Sequence, residues 1–120
     1  MAYIDTNVFV YASAAIQESA EKSQQAQLIL EKIAHQQLSA STSVITWDEV
    51  VWASRKIVPF REALQKGNAV LVFPNLVVTD FTLAIANKAS QLAEEYSLKP
   101  HDAIHAATAI LNGEREIITD

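Results

Sequence analysis

Acids in three separate segments stand apart from ordinary surface charge: Asp5, Asp102 and one of the adjacent pair Asp48-Glu49. Asp5 directly follows the apolar Ala2-Tyr3-Ile4. It therefore stands at the carboxyl end of a candidate strand, where open parallel sheets bind ligands; the same position suits an N-cap of the next helix equally well. Asp102 falls in the first turn of a helix opened by Lys99-Pro100, where a carboxylate also complements the helix dipole. It lines up with Ala106 and Ala109, so a strip of small apolar residues is expected to point it inward. A buried acid needs a partner or a metal. Asp48 and Glu49 lie mid-helix between Trp47 and Val50, and that helix is apolar around most of its circumference. Periodicity does not choose between the two. Carboxylates gathered from separate segments suit Mg²⁺ or Mn²⁺, hard cations that prefer oxygen ligands. Such a cage activates water and offsets the charge that builds on a phosphodiester during hydrolysis.

Other candidates are weaker. His101 and His105 have metal-ligand spacing, but no third ligand of zinc-peptidase type accompanies them. With Thr108 and Asn112 they form one polar helix face, expected to be surface near the active edge. Trp47, Trp52 and Phe73 could form a base-stacking set, but their valine and isoleucine neighbours make them expected core. The nearest thing to a basic patch, Arg55, Lys56, Arg61 and Lys66, reads as solvated surface. Two glycines leave no room for a Gly-rich phosphate loop, and the spacing supports no Ser/His/Asp triad.

The elements that must position these residues alternate between strand and helix. Ala2–Ile4 is a short buried strand running into a turn or helix start at Asp5-Thr6-Asn7. Residues 19–37 carry Ala26, Ile29, Leu30, Ile33 and Ala34 at helical spacing. A second short strand is read at Leu38-Ser39-Ala40, with Ser41, Thr42 or Ser43 capping a helix through Trp47 to about Ile57. Pro59 closes that helix and opens another towards Gly67. Residues 75–79 form a β-branched strand, Thr79 or Asp80 caps a long helix lined by Ile85, Ala89 and Leu92, and Lys99-Pro100 begins the next, ended by Asn112-Gly113. Glu116–Thr119 is the last strand. This pattern predicts an α/β fold with a small parallel sheet. A chain of 120 residues, 50% hydrophobic and 19% charged, has the length and composition of a single compact domain. It contains no cysteine, hence no disulfide or thiolate site, and no apolar run long enough to span a bilayer, so a cytoplasmic location is expected. The net charge of −5 argues against a general nucleic-acid-binding surface but not against a nuclease, because a carboxylate cage is acidic until its metal is bound.

Three segments carry a family resemblance: Tyr3-Ile4-Asp5-Thr6-Asn7-Val8-Phe9-Val10-Tyr11, Thr46-Trp47-Asp48-Glu49-Val50-Val51 and the run from Leu98 through His101-Asp102-Ala103-Ile104-His105 to Ala107. In this order and separation they resemble a PIN domain, and the resemblance covers essentially the whole chain. The closest likeness is to short prokaryotic PIN proteins, especially toxin ribonucleases of VapBC-type toxin–antitoxin pairs and their archaeal relatives. The resemblance implies a three-layer α/β/α domain with an acidic metal site at the C-terminal edge of its sheet, and Mg²⁺- or Mn²⁺-dependent endonucleolytic cleavage of RNA. Carried over by position, Asp5, Glu49 and Asp102 are the metal-binding acids, which favours Glu49 over Asp48. Thr6 or Asn7 orients them. It also implies a homodimer and a small antitoxin that inserts near the acids. The family pattern continues past the Ile-Ile-Thr strand, and in many members a fourth acid falls just beyond the position of Asp120. Asp120, with Thr119, is the candidate stand-in, and the single domain over 1–120 is expected to lack its C-terminal end. Two other readings compete: a non-catalytic PIN-like interaction or regulatory module, and a phosphohydrolase with Asp5 as nucleophile. The latter is disfavoured because Asn7 occupies the place where many such enzymes carry a second Asp.

Overall fold

The computed structural model describes residues 1–13 and 20–119. Their order is β1 (Ala2–Ile4), α1 (Thr6–Ser13), α2 (Ala20–Ala34), β2 (Ala40–Ser43), α3 (Ile45–Ser54), α4 (Phe60–Leu71), β3 (Leu76–Thr79), α5 (Leu83–Tyr96), α6 (Pro100–Leu111) and β4 (Glu116–Ile118). The strands form one parallel sheet in the order β3-β2-β1-β4. After β1 the chain builds outward through β2 and β3, then crosses back to place β4 on the other side of β1. The strand order thus reverses beside β1, and Asp5 follows β1 at that switch point, where doubly wound sheets form their ligand crevice.

Strand alternation divides the core. Ala2 and Ile4 pack with Val8, Phe9, Ala26, Ile33, Val50 and Val70, contributed by α1, α2, α3 and α4. Tyr3 points to the opposite face and meets His105 of α6. On that side α5 and α6 pack through Ile85, Ala89, Leu92, Ala103 and Ala107. Small alanines let the two helices approach closely, and α6 is buried or half-buried at every position from Ala103 to Ala109.

Several boundaries differ from the sequence-based expectation. The second strand is not Leu38–Ala40 but the hydroxyl-rich Ala40–Ser43. It forms because it is central, paired in parallel with β1 and β3, and its buried hydroxyls all find partners. Thr42 donates to the Ile4 carbonyl at 2.7 Å, Ser41 to Glu114 at 3.0 Å, and Ser43 accepts from Ile45 N–H at 3.1 Å. Of the expected capping candidates only Ser43 accepts a backbone N–H at the opening of α3, while Thr42 bonds the Thr46 hydroxyl at 2.7 Å. Helix α4 does not stop at Gly67 but runs on to Leu71. Gly67 serves packing: an added Cβ would lie 2.4 Å from Val51 Cγ2 and 3.2 Å from the Trp47 carbonyl. Thr82, not Thr79 or Asp80, caps α5 by accepting from Ile85 N–H. The start expected for α2, Ser19, lies outside the described residues.

Candidate active site

Asp5 is fixed where β1 becomes α1. Its backbone N–H donates to the Ile118 carbonyl of β4 at 2.9 Å, and one carboxylate oxygen accepts from Thr6 N–H at 2.7 Å. It therefore acts both as a helix-start residue and as an acid at the sheet edge. Thr6, buried at the head of α1, donates its hydroxyl to Glu49 Oε1 at 2.7 Å. That bond spans from α1 to α3 and selects Glu49, not Asp48, as the inward acid of its helix. Asp48 is exposed on the cleft wall.

His105 lies beneath both acids. It is 5% exposed. Its Nε2 is hydrogen-bonded to Glu49 Oε1 and lies 3.6 Å from Asp5 Oδ1 and 3.2 Å from Thr6 Oγ1. Its Nδ1 meets the Tyr3 hydroxyl. One ring thus ties Tyr3 of β1 to Glu49 of α3. The expectation of a surface His105 is therefore corrected. Because α6 is enclosed through its middle, depth along the helix rather than face decides exposure. His101 and Asp102, in the first turn, are exposed, while His105, one turn deeper, is buried. The same geometry corrects the inward-pointing Asp102: it stands on the cleft rim. His101 Nδ1 sits beside it, 3.6 Å from Glu49 Oε2.

These side chains surround one cleft of about 350 Å³, lined by Asp5, Thr6, Asn7, Glu49, Trp52 and Asp102 among others. Its electrostatics are divided. Burial pushes the Asp5 carboxyl above its ordinary range, and the Glu49 and Asp102 charges add to this, while His105 and the Thr6 N–H oppose it. For Glu49, burial alone acts upward, but the His105 hydrogen bond and charge, the Thr6 hydroxyl and His101 together bring its carboxyl below the ordinary range. The raised carboxyl of the cluster is thus Asp5, with burial as its main cause. Among the described residues no three His, Asp or Glu side chains stand close enough together to hold an ion. The donor chemistry nonetheless fits a hard divalent cation, because three carboxylates from three elements line one cleft.

Thr119 is exposed just past β4 and is not part of the cleft lining, and Asp120 lies outside the described residues. Trp52, expected in the core, is instead 61% exposed on the cleft wall. Trp47 and Phe73 are half-buried. His105, Asp102 and Trp52 are the site residues whose surroundings the sequence misplaced. The wide buried arc of α6, with alanines at 103, 106, 107 and 109, was the available sign for His105.

Among solved structures, a toxin–antitoxin complex from Klebsiella pneumoniae is similar at 27% identity and a TM-score of 0.69, covering 100% of this chain and 87% of that chain. VapC20 of Mycobacterium tuberculosis, a sarcin–ricin-loop-cleaving toxin, shares the fold at a TM-score of 0.81 with 14% identity, covering 100% of this chain and 89% of that one. VapBC2 from Rickettsia felis, bound to promoter DNA, shares it at a TM-score of 0.63 and 19% identity, with 100% and 89% covered. A comparison with curated proteins gives no match. The PIN-domain family model matches residues 2–120. Together with a parallel sheet whose switch point carries Asp5 beside Glu49 and Asp102, that match means that the chain belongs to the PIN-domain family.

Proposed function

We propose that this protein is a metal-dependent endoribonuclease and the toxin of a toxin–antitoxin pair. The observation that carries the reading is the convergence on one cleft of Asp5, Glu49 and Asp102, from β1's end, α3 and α6. Asp5, Glu49 and Asp102 would hold Mg²⁺ or Mn²⁺, which supplies an activated water and offsets charge on the phosphodiester. The chain's own residues prepare the site. Thr6 orients both acids, with its N–H on Asp5 and its hydroxyl on Glu49. His105 keeps Glu49 ionised. Asn7, exposed on the cleft, is placed to orient a ligand or the substrate. In this reading Asp120 is the candidate fourth acid, on the family pattern alone.

The Klebsiella toxin–antitoxin complex supports an antitoxin as partner; the small size of that antitoxin and a homodimer rest on the family resemblance alone. Among the described residues no helix is long and apolar enough to cross a membrane, in keeping with a cytoplasmic toxin.

The test is cleavage of labelled single-stranded RNA with Mn²⁺, with Mg²⁺ and with chelator, by wild type and Asp102→Asn. Cleavage that requires metal and drops about 100-fold or more in the variant is expected, as for loss of one electrostatic stabiliser. Equal background cleavage by both forms would instead support a non-catalytic interaction module.

A further inference from the structure

The helix that carries Glu49 also sets an indole on the wall of the same cleft. Trp52 follows Glu49 by three residues, so the two share a face of α3, and both line the cleft with Asp102. Trp47, on the same helix, is half-buried and donates its indole N–H to Asn68. Trp52 is 61% exposed, and a second hollow continues from it between Arg55 and Lys56, both exposed. The Arg55 guanidinium lies 5.8 Å from the Trp52 ring centre and 5.0 Å from that of Phe60. In a chain of net charge −5, these cations stand directly beside the acidic cleft.

An aromatic face flanked by cations suits a single-stranded nucleic acid, because the base stacks while the phosphates meet the charges. An apolar protein segment would have no use for Arg55 and Lys56 in this position. We propose that Trp52 is a stacking platform for an unpaired RNA base next to the scissile phosphate, with Arg55 and Lys56 taking the phosphates beyond it. This rests on the ribonuclease reading and specifies its substrate: a strand with an unstacked base, rather than continuous duplex.

The experiment measures binding of a short labelled single-stranded oligoribonucleotide by fluorescence anisotropy, with Mg²⁺, in an Asp5→Asn background that does not turn over. Trp52→Ala is expected to weaken binding about 5- to 150-fold, the range for losing one stacked base. Trp52→Phe should retain most of the affinity, and Trp52→Leu should behave like alanine. Neutralising Arg55 or Lys56 to Gln should lower the slope of log affinity against log salt by about 0.7 each. Because Trp52 is exposed, the Ala variant should melt with its parent. Unchanged binding in Trp52→Ala, or Leu as good as Phe, would overturn the platform while leaving the ribonuclease reading standing. No RNA binding by any form, the Asp5→Asn parent and wild type with Mg²⁺ included, would sink both. If Trp52→Ala spares RNA binding but converts a dimer to a monomer in sedimentation, the surface is an interface between copies and the platform is wrong.

Discussion

His105 binds Tyr3 through one ring nitrogen and Glu49 through the other, within 3.6 Å of Asp5. It touches two proposed metal-binding acids without being one, and so acts as a positioning residue. In His105→Leu the buried Tyr3 hydroxyl loses this partner, and Glu49 loses both a hydrogen bond and a favourable charge. The expected costs are about 1–3 kcal/mol of stability and about 10- to 100-fold in Mn²⁺ affinity. Thermal melts and calorimetric titration read the two separately, and a stability loss with unchanged Mn²⁺ affinity would reduce the residue to a packing role. Tyr3 supplies a second prediction. Burial pushes its phenol far above the ordinary value, with the Asp5 charge adding, against hydrogen bonds involving Ser43, Thr42 and Thr46. The folded chain therefore keeps a proton that the unfolded chain releases above pH ~10. Stability contributed below that pH is lost as pH rises, at about 1.4 kcal/mol per pH unit. Denaturant melts between neutral and alkaline pH should show this slope in wild type and a shallower one in Tyr3→Phe; equal slopes would mean that the phenol ionises freely in the fold.

Helix α3 carries Glu49, Trp47 and Trp52, so its seat on α4 sets the geometry of the acid and of the indole alike. Gly67 is what lets α4 lie so close. In Gly67→Ala the new methyl would meet Val51 Cγ2 at 2.4 Å and the Trp47 ring at 3.2 Å. Alanine gains about 1 kcal/mol of helix propensity over glycine, but overpacking costs about 1–3 kcal/mol. A net loss of up to about 2 kcal/mol is expected, seen as a lower denaturant midpoint, and displacement of α3 should also weaken Mn²⁺ binding. A more stable Gly67→Ala would show that propensity outweighs the close approach. The elements legible in the sequence were those with a strong period or a hard stop: α2, α5 and α6 from their apolar spacing, and the start of α6 from Lys99-Pro100. Strand β2 was shifted because serine and threonine look locally like caps. Pairing on both sides turns Ala40–Ser43 into the sheet's interior, with every hydroxyl satisfied.

A fold that gathers like charges at one edge should respond to the cation that would neutralise them. Metal that binds only the folded state stabilises it by mass action, about 2.7 kcal/mol at a hundred-fold excess over Kd. For a chain of this size that corresponds to roughly 10 °C in Tm. Millimolar Mn²⁺ should raise Tm and chelator should reverse it. Asp5→Asn should melt higher than wild type without metal, because its carboxyl is raised by burial and by Glu49 and Asp102, and should lose the response to Mn²⁺. A Tm indifferent to Mn²⁺ in wild type would count against the metal site.

The sequence alone determined the fold class and the order of the elements, and it proposed Asp5, Glu49 and Asp102 as the acids of the site, because these depend on local period, on helix and strand ends, and on a family pattern in the chain itself. The tertiary structure decided the depth of each side chain. Depth depends on what packs over an element, and periodicity does not reveal that. Two residues illustrate the difference. On α6, enclosed through its middle by α5 and the sheet, His105 is buried beneath the acids, whereas on α3 the cleft wall leaves Trp52 in solvent.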